Sequence, residues 1–154
     1  MKRIKPLVVS LIVSLGTGGL SALLTRRSTE IYETLRQPLL APPPWVFPVV
    51  WTLLYILMGV AAWRVWQTED PGREKALTLY GAQLLVNFFW PQIFFNARQF
   101  GLALVWIVVL WVLVLLTQRR FARLDRTAGW LLLPYLLWVT FATYLNAGVW
   151  ILNR

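Results

Sequence analysis

The 154-residue sequence contains no cysteine and no histidine. The absence of cysteine excludes disulfides and thiolate metal sites. The absence of histidine removes the commonest ligand of haem iron and the usual proton shuttle. We therefore predict no metal site and no resident cofactor.

Acidic residues are also scarce, with six against fifteen basic residues and a net charge of +9. Such an excess can indicate nucleic-acid binding, but here the basic residues flank long apolar runs, where lysine and arginine set membrane topology. The sequence thus predicts no nucleic-acid partner. No charged side chain lies inside the runs, which disfavours an ion- or proton-coupled transporter because charge movement needs an ionisable group within the bilayer.

Long hydrophobic runs are abundant, and hydrophobic residues make up 58% of the chain. Five uncharged runs of at least twenty residues are each long enough for a helix to cross about 30 Å of hydrocarbon. Transmembrane β-strands would be about half as long and would alternate polar with apolar residues. We predict an all-α fold, a five-transmembrane-helix bundle that forms a single integral membrane domain over residues 1–154. The helices are predicted at about 6–25, 44–66, 76–97, 100–118 and 127–151.

The lipid bilayer is the first predicted partner of this bundle. The distribution of lysine and arginine predicts the orientation of the bundle in that bilayer. Ten of the fifteen basic residues lie on the side of the N-terminus, and five lie on the other side. Because cytoplasmic loops carry the excess of basic residues, we predict a multi-pass protein with its N-terminus in the cytoplasm and its C-terminus outside.

Prolines concentrate between Gln37 and Tyr55, which hold five of the nine. The three prolines at 42–44 have φ near −65° and cannot donate backbone hydrogen bonds, so they form a stiff approach to the next helix. That helix carries Trp51 and Tyr55 one turn apart. We interpret it as an aromatic wall and residues 26–43 as its lid.

The lid contains a polar segment, residues 28–35, whose pattern suits a short, capped amphipathic helix. Tyr32 is its one aromatic residue. Two positions are open to Tyr32: over the mouth of a cavity, or at the membrane surface as an interfacial anchor.

The third run has the most polar side chains at membrane depth. Gln83 and Asn87 are four residues apart and share a helix face, and Trp90 and Pro91 follow at the next turn. Amides in hydrocarbon need partners, so we expect both to point into the bundle, either as glue between helices or as the lining of a ligand cavity. Pro91 should kink or loosen this helix.

The last run places Trp138 and Ala142 on one stripe of its helix. The small side chain of Ala142 leaves a gap beside a large indole, where a flat ligand could bind against an aromatic face.

Three segments resemble the TspO/MBR family, the tryptophan-rich sensory proteins related to the mitochondrial translocator and peripheral benzodiazepine receptor. The segments are 42–59 together with Pro38, then 82–90, then 134–140 together with Leu145 and Asn146. The resemblance implies a five-helix bundle, often a homodimer, that binds protoporphyrin IX and benzodiazepine-site ligands in a cavity under the first loop. By position, the ligand-binding residues would be Tyr32, Pro42, Trp51, Tyr55, Gln83, Asn87, Trp90, Trp138 and Ala142.

The sequence departs from the family pattern at two points. Leu39 and Leu40 stand where members often have tryptophan, so we expect a less aromatic lid. The cholesterol pattern near the C-terminus fails because Tyr144 is followed by no basic residue before Arg154, which makes sterol binding doubtful. A reversed pattern spans residues 75–84, but matches of this kind arise easily by chance.

The leading hypothesis is a membrane receptor or carrier for porphyrin-type tetrapyrroles, with Trp51 and Trp138 as opposed walls and a role in tetrapyrrole or stress regulation. Basic residues near the mouth would meet the propionates. The alternative is a light- or oxygen-dependent porphyrin-degrading enzyme in which Trp51 and Trp138 would be the catalytic residues. A third reading assigns most tryptophans to membrane-interface belts and packing.

Overall fold

The computed structural model describes residues 4–154, and this part of the chain is helical with no β-strand. The prediction of an all-α fold is confirmed. A π-helical turn, Gln92–Asn96, follows the fourth of six α-helices. The helices are α1 (Ile4–Leu24), α2 (Ser28–Thr34), α3 (Val46–Trp66), α4 (Arg73–Pro91), α5 (Phe100–Leu124) and α6 (Arg126–Asn153).

Four helices, α1, α3, α5 and α6, are long and apolar enough to cross a membrane. This confirms a multi-pass membrane protein. The predicted count of five spans is not confirmed, because α4 begins with Arg73 and carries buried amides at Gln83 and Asn87, which lower its hydropathy. Helix α4 nevertheless packs inside the bundle, mainly against α5.

Two details at the helix ends differ from the predictions. Helix α5 ends at Leu124 and not at residue 118, because Thr117 and Phe121 remain buried and arginine is a good helix former. Helix α2 forms as expected, but Ser28 lies in its first turn and the preceding Arg27 makes no side-chain capping bond. The predicted side-chain cap is therefore wrong.

The core lies where α3, α4, α5 and α6 meet, and it is tightest at the end of the bundle that contains the α5–α6 turn. Helices α5 and α6 are joined by the single non-helical residue Asp125, and a Cβ on Gly129 would overlap the backbone of Ala122. Arg64 of α3 forms an ion pair with Asp125, and this hydrogen bond lowers the pKa of the Asp125 carboxyl. We call this region the closed end. Its fully buried residues include Val65, Ala76, Phe121 and Ala128.

Helix α1 lies on the outside of the bundle and contacts it through small residues. Three serine hydroxyls donate to backbone carbonyls of other helices, namely Ser10 to Gly59, Ser14 to Tyr55 and Ser21 to Phe88, at 2.7, 2.8 and 3.0 Å. A Cβ on Gly18 would overlap the Tyr55 ring, so glycine is required for this approach. The small residues of α1 therefore hold it close to α3.

Candidate functional site

Pro91 ends α4 and opens an irregular turn. The amide of Ala97 donates to the carbonyl of Gln92 at 2.9 Å, a bond across five residues that defines a π-helical turn. The predicted loosening of the helix at Pro91 is confirmed. The wider turn places Phe94 and Phe95 beside the end of α1, where both face a cavity.

The cavity has a volume of about 270 Å³ and lies between α1, α2, α3, α4 and α6, at the end of the bundle opposite the closed end. Ligand pockets commonly measure roughly 300–1,000 Å³, so this one lies just below that range. We call this region, with α2 and the π-helical turn above it, the open end. Seven of the nine predicted ligand-binding residues line the cavity: Tyr32, Trp51, Tyr55, Asn87, Trp90, Trp138 and Ala142.

The other two predicted residues, Pro42 and Gln83, do not line the cavity, and their placement there is corrected. Pro42 belongs to the lid, and its carbonyl accepts a hydrogen bond of 2.9 Å from the Tyr32 hydroxyl. Gln83 lies one turn deeper than Asn87 and is 1% exposed. The phenol of Tyr135 forms hydrogen bonds with both amides and so links Gln83 to Asn87.

These buried polar groups form a directed chain of hydrogen bonds. The Asn87 amide donates to the Tyr135 hydroxyl at 2.7 Å, and that hydroxyl donates to the Gln83 carbonyl oxygen at 2.6 Å. The Gln83 amide nitrogen faces the sulfur of Met58 at 3.9 Å, which sets the direction of the chain. Gln83 thus links α4 to α6 through Tyr135, whereas Asn87 both makes this link and lines the cavity.

The two central indoles are arranged differently from the prediction. The ring centroids of Trp51 and Trp138 are 6.4 Å apart with the rings perpendicular, a direct edge-to-face contact. No macrocycle fits between them, so the predicted opposed walls are replaced by a corner with two adjoining faces. Tyr55 and Phe47 extend this corner, with ring centroids 5.8 Å from Trp51 and 5.9 Å from Trp138.

The indole nitrogens at the site differ in their partners. Trp90 donates to the Asn146 side-chain oxygen at 2.9 Å, and Asn146 in turn donates to the Phe100 carbonyl, so Trp90 is held in place for ring contacts. The buried Trp138 nitrogen has no hydrogen-bond partner within residues 4–154. A buried donor without an acceptor is costly, and an acceptor on a ligand could satisfy it.

Tyr32 lies over the cavity. It is 5% exposed, its ring contacts Phe47 edge to face at 5.1 Å, and the Gln37 side chain donates to its carbonyl at 2.9 Å. Burial raises the pKa of the Tyr32 phenol, so the hydroxyl stays a neutral donor to Pro42. Of the two positions open to Tyr32, the structure has the one over the cavity mouth.

The departures from the family pattern lie outside the cavity. Leu39 and Leu40 are 86% and 83% exposed and do not line it. Their part of the loop is fixed to α6, where the Tyr144 hydroxyl donates to the Leu39 carbonyl at 2.6 Å. Tyr80 and Leu84 of the reversed sterol pattern are buried in the bundle and present no lipid-facing surface.

Sequence reasoning missed two groups of cavity residues. One is the inner face of α1 and the residue after it, including Ser21 and Thr25, which sequence reasoning did not assign to the site. The other is Phe94 and Phe95, which reach the cavity through the π-helical turn. The four-residue spacing of small side chains on α1 could have indicated the first group, whereas no pattern predicted the second.

Comparison with known proteins finds relatives along almost the whole chain. The model of the TspO/MBR family matches residues 8–151. A tryptophan-rich sensory protein of Cereibacter sphaeroides is 45% identical over 124 residues, 80% of this chain and 77% of that protein. The tryptophan-rich protein TspO of Chlorobaculum tepidum is 39% identical over 149 residues, 96% of this chain and 94% of that protein. The human translocator protein is 41% identical over 122 residues, 77% of this chain and 72% of its own length.

Proposed function

The chain belongs to the TspO/MBR family of membrane sensory and translocator proteins, and on this premise we propose that it is a membrane receptor or carrier for porphyrin-type tetrapyrroles. Protoporphyrin IX is the representative ligand, and synthetic benzodiazepine-site ligands would share its cavity. The role that follows is tetrapyrrole or stress regulation.

The observation that carries this proposal is the aromatic corner of Trp51 and Trp138 at the base of a cavity with few polar groups. A flat, apolar macrocycle gains most from such a surface, because it can stack on one indole while its edge contacts the other. The side-chain amide of Asn87, which lines the cavity, supplies a polar group that can orient a ligand.

A complete macrocycle requires the lid to move. The cavity of about 270 Å³ is small, and two hydrogen bonds tie α2 to the loop that follows it, Tyr32 to Pro42 and Gln37 to Tyr32. Its contacts with the bundle are few, and they include the Tyr32–Phe47 ring contact and contacts with the π-helical turn. We therefore expect α2 to swing outward on binding, with the Tyr32–Pro42 hydrogen bond broken in the process.

The membrane arrangement supports entry from one side. We propose that α4 with its π-helical turn, residues 73–96, is the fifth span, since its two amides at membrane depth, Gln83 and Asn87, are buried among the other helices. We propose that the closed end and the N-terminus lie in the cytoplasm and the lid outside, which the excess of basic residues near the closed end supports.

Titration of the detergent-solubilised protein with protoporphyrin IX, followed by porphyrin absorbance, tests the binding function. We expect saturable binding that the double variant Trp51→Phe, Trp138→Phe weakens about tenfold, or ~1.4 kcal/mol, because smaller rings lose stacking area. Trp66→Phe is the matched control, because Trp66 is exposed at the far end of α3. Absence of saturable binding by the parent would overturn the proposal, and unchanged binding by the double variant would overturn the role of the corner.

The degrading-enzyme alternative is not favoured. Trp51 and Trp138 are placed as parts of one packed surface, which is the arrangement that binding alone requires. No feature of the site adds specific support for a reaction at either ring.

A further inference from the structure

A second hollow, of about 530 Å³, lies beside the mouth of the cavity. It is formed where the end of α1, the outer face of α2 and the π-helical turn meet. Three arginines line it, Arg26, Arg27 and Arg98, and we call it the basic hollow. Arg26 and Phe95 line both the hollow and the aromatic cavity, so the two spaces adjoin.

The positive charge of the basic hollow is not neutralised by the protein. Glu30 is the one carboxylate among its lining residues, against three guanidiniums. Within residues 4–154 the only ion pair joins Arg64 to Asp125, so none of the three arginines is paired with Glu30. A concave surface with excess charge of one sign concentrates the field and attracts an opposite charge.

Arg98, which lines the basic hollow, has a strained backbone. Its φ of 54° lies in the left-handed region, which costs about 1–2 kcal/mol for a residue with a side chain. The preceding turn is fixed, because the Asn96 side-chain amide donates to the Leu24 carbonyl at 3.0 Å and to the Gln92 side chain at 2.8 Å. Strain of this kind tends to persist at binding sites, and here it belongs to a residue that lines the hollow.

We propose that the basic hollow binds the carboxylate of an amphiphilic ligand whose flat ring occupies the aromatic cavity. This rests on the proposed function and deepens it, because it assigns the acidic edge of a tetrapyrrole to Arg26, Arg27 and Arg98. A guanidinium can form two parallel hydrogen bonds with a carboxylate, which adds orientation as well as affinity. The shared wall at Arg26 and Phe95 lets one ligand contact both spaces.

The test compares protoporphyrin IX with its dimethyl ester, which keeps the ring and removes both carboxylates. We expect the parent to bind the free acid about tenfold more tightly than the ester, a preference typical of charge-assisted hydrogen bonds. Arg98→Gln and Arg27→Gln, which change residues that line the hollow but not the aromatic cavity, should remove most of this preference and leave ester affinity unchanged. Arg36→Gln is the matched control, because Arg36 lies on the same side of the membrane and outside the hollow.

A second variant separates binding from folding. Arg98→Gly should relieve the left-handed strain, so we expect its melting temperature to equal or exceed that of the parent while its preference for the acid is lost. If Arg98→Gly or Arg98→Gln keeps the full preference, Arg98 has no role in the hollow and the inference is wrong. If the parent binds acid and ester equally, the inference fails while the proposed function stands. If the parent binds neither, both fail.

A lipid phosphate, like a carboxylate, is an anion that accepts hydrogen bonds from guanidinium groups. The measurement is therefore made in nanodiscs of neutral phosphatidylcholine and in nanodiscs that contain anionic phosphatidylglycerol. We expect the preference for the acid in neutral nanodiscs and its reduction by the arginine variants there. Equal binding of acid and ester, together with loss of co-purifying anionic lipid from the variants, would assign the hollow to a lipid headgroup and overturn the inference.

Discussion

The two ends of the bundle differ in how their helices meet. At the closed end Val65, Phe121 and Ala128 are fully buried, and helices α5 and α6 turn back on each other through a single residue. At the open end the helices separate around a cavity, and both non-glycine residues with left-handed backbone among residues 4–154, Leu40 and Arg98, occur there. The comparison teaches that stability and binding are divided between the ends. Close packing at the closed end stabilises the fold and so offsets the free-energy cost of the left-handed residues and of the cavity at the open end.

The largest effect should come from the closed end. Phe121→Ala removes a fully buried ring that packs on Tyr80, with ring centroids 5.8 Å apart. We expect a loss of about 3 kcal/mol in the free energy of unfolding, measured by denaturant titration in mixed micelles. Porphyrin affinity of the folded fraction should not change. Phe89→Ala, at a ring that is 42% exposed, is the control and should cost much less. Equal losses for the two variants would contradict a division between the ends.

A smaller effect is expected from the lid. Tyr32→Phe keeps the ring and removes the hydroxyl that donates to Pro42, a bond worth about 1 kcal/mol. Because this bond holds α2 closed in the ligand-free protein and is broken on binding, the variant should take up porphyrin about fivefold faster in stopped-flow measurements, with a free energy of unfolding lowered by no more than about 1 kcal/mol. Glu33→Gln, on the exposed face of α2 and outside both the cavity and the basic hollow, is a control for changes in the helix itself. A loss of stability without a change in uptake rate would show that the bond stabilises the fold and does not hold α2 closed.

The smallest effect concerns pH at the closed end. The hydrogen bond from Arg64 lowers the pKa of Asp125, so the folded state gains stability above the ordinary carboxyl pKa and loses it as pH falls through the lowered value. The window therefore lies below about pH 4. The Arg64 side chain is 40% exposed, so solvent screening limits the contribution to less than about 1 kcal/mol.

Melting temperature measured between neutral pH and pH 3 checks this expectation. Asp125→Asn should reduce the decline in stability below pH 4, whereas Glu69→Gln, at a carboxylate without an ion pair among the described residues, should leave the decline unchanged. An identical decline in the parent and in Asp125→Asn would show that the ion pair adds nothing to the closed end.

Much of the site followed from residue types and spacing. Trp51 and Tyr55 share a face of α3, and Asn87 and Trp90 lie near each other on α4, so their convergence on one cavity could be predicted. Gln83 could not be separated from Asn87 in this way. The residue that links them, Tyr135, comes from α6, and its distance from both amides depends on how α4 and α6 pack.

The sequence by itself determined the long helices and the position of the irregular turn at Pro91. Backbone polar groups must be satisfied within a segment that crosses lipid, so long apolar runs form helices whatever their neighbours, and proline removes a donor wherever it stands. Only the tertiary structure decided that Trp51 and Trp138 form a corner and that Arg26, Arg27 and Arg98 surround one hollow. The physical reason is that these arrangements depend on the rotation of each helix and on a π-helical turn, which shift side chains by several ångströms without changing the sequence pattern.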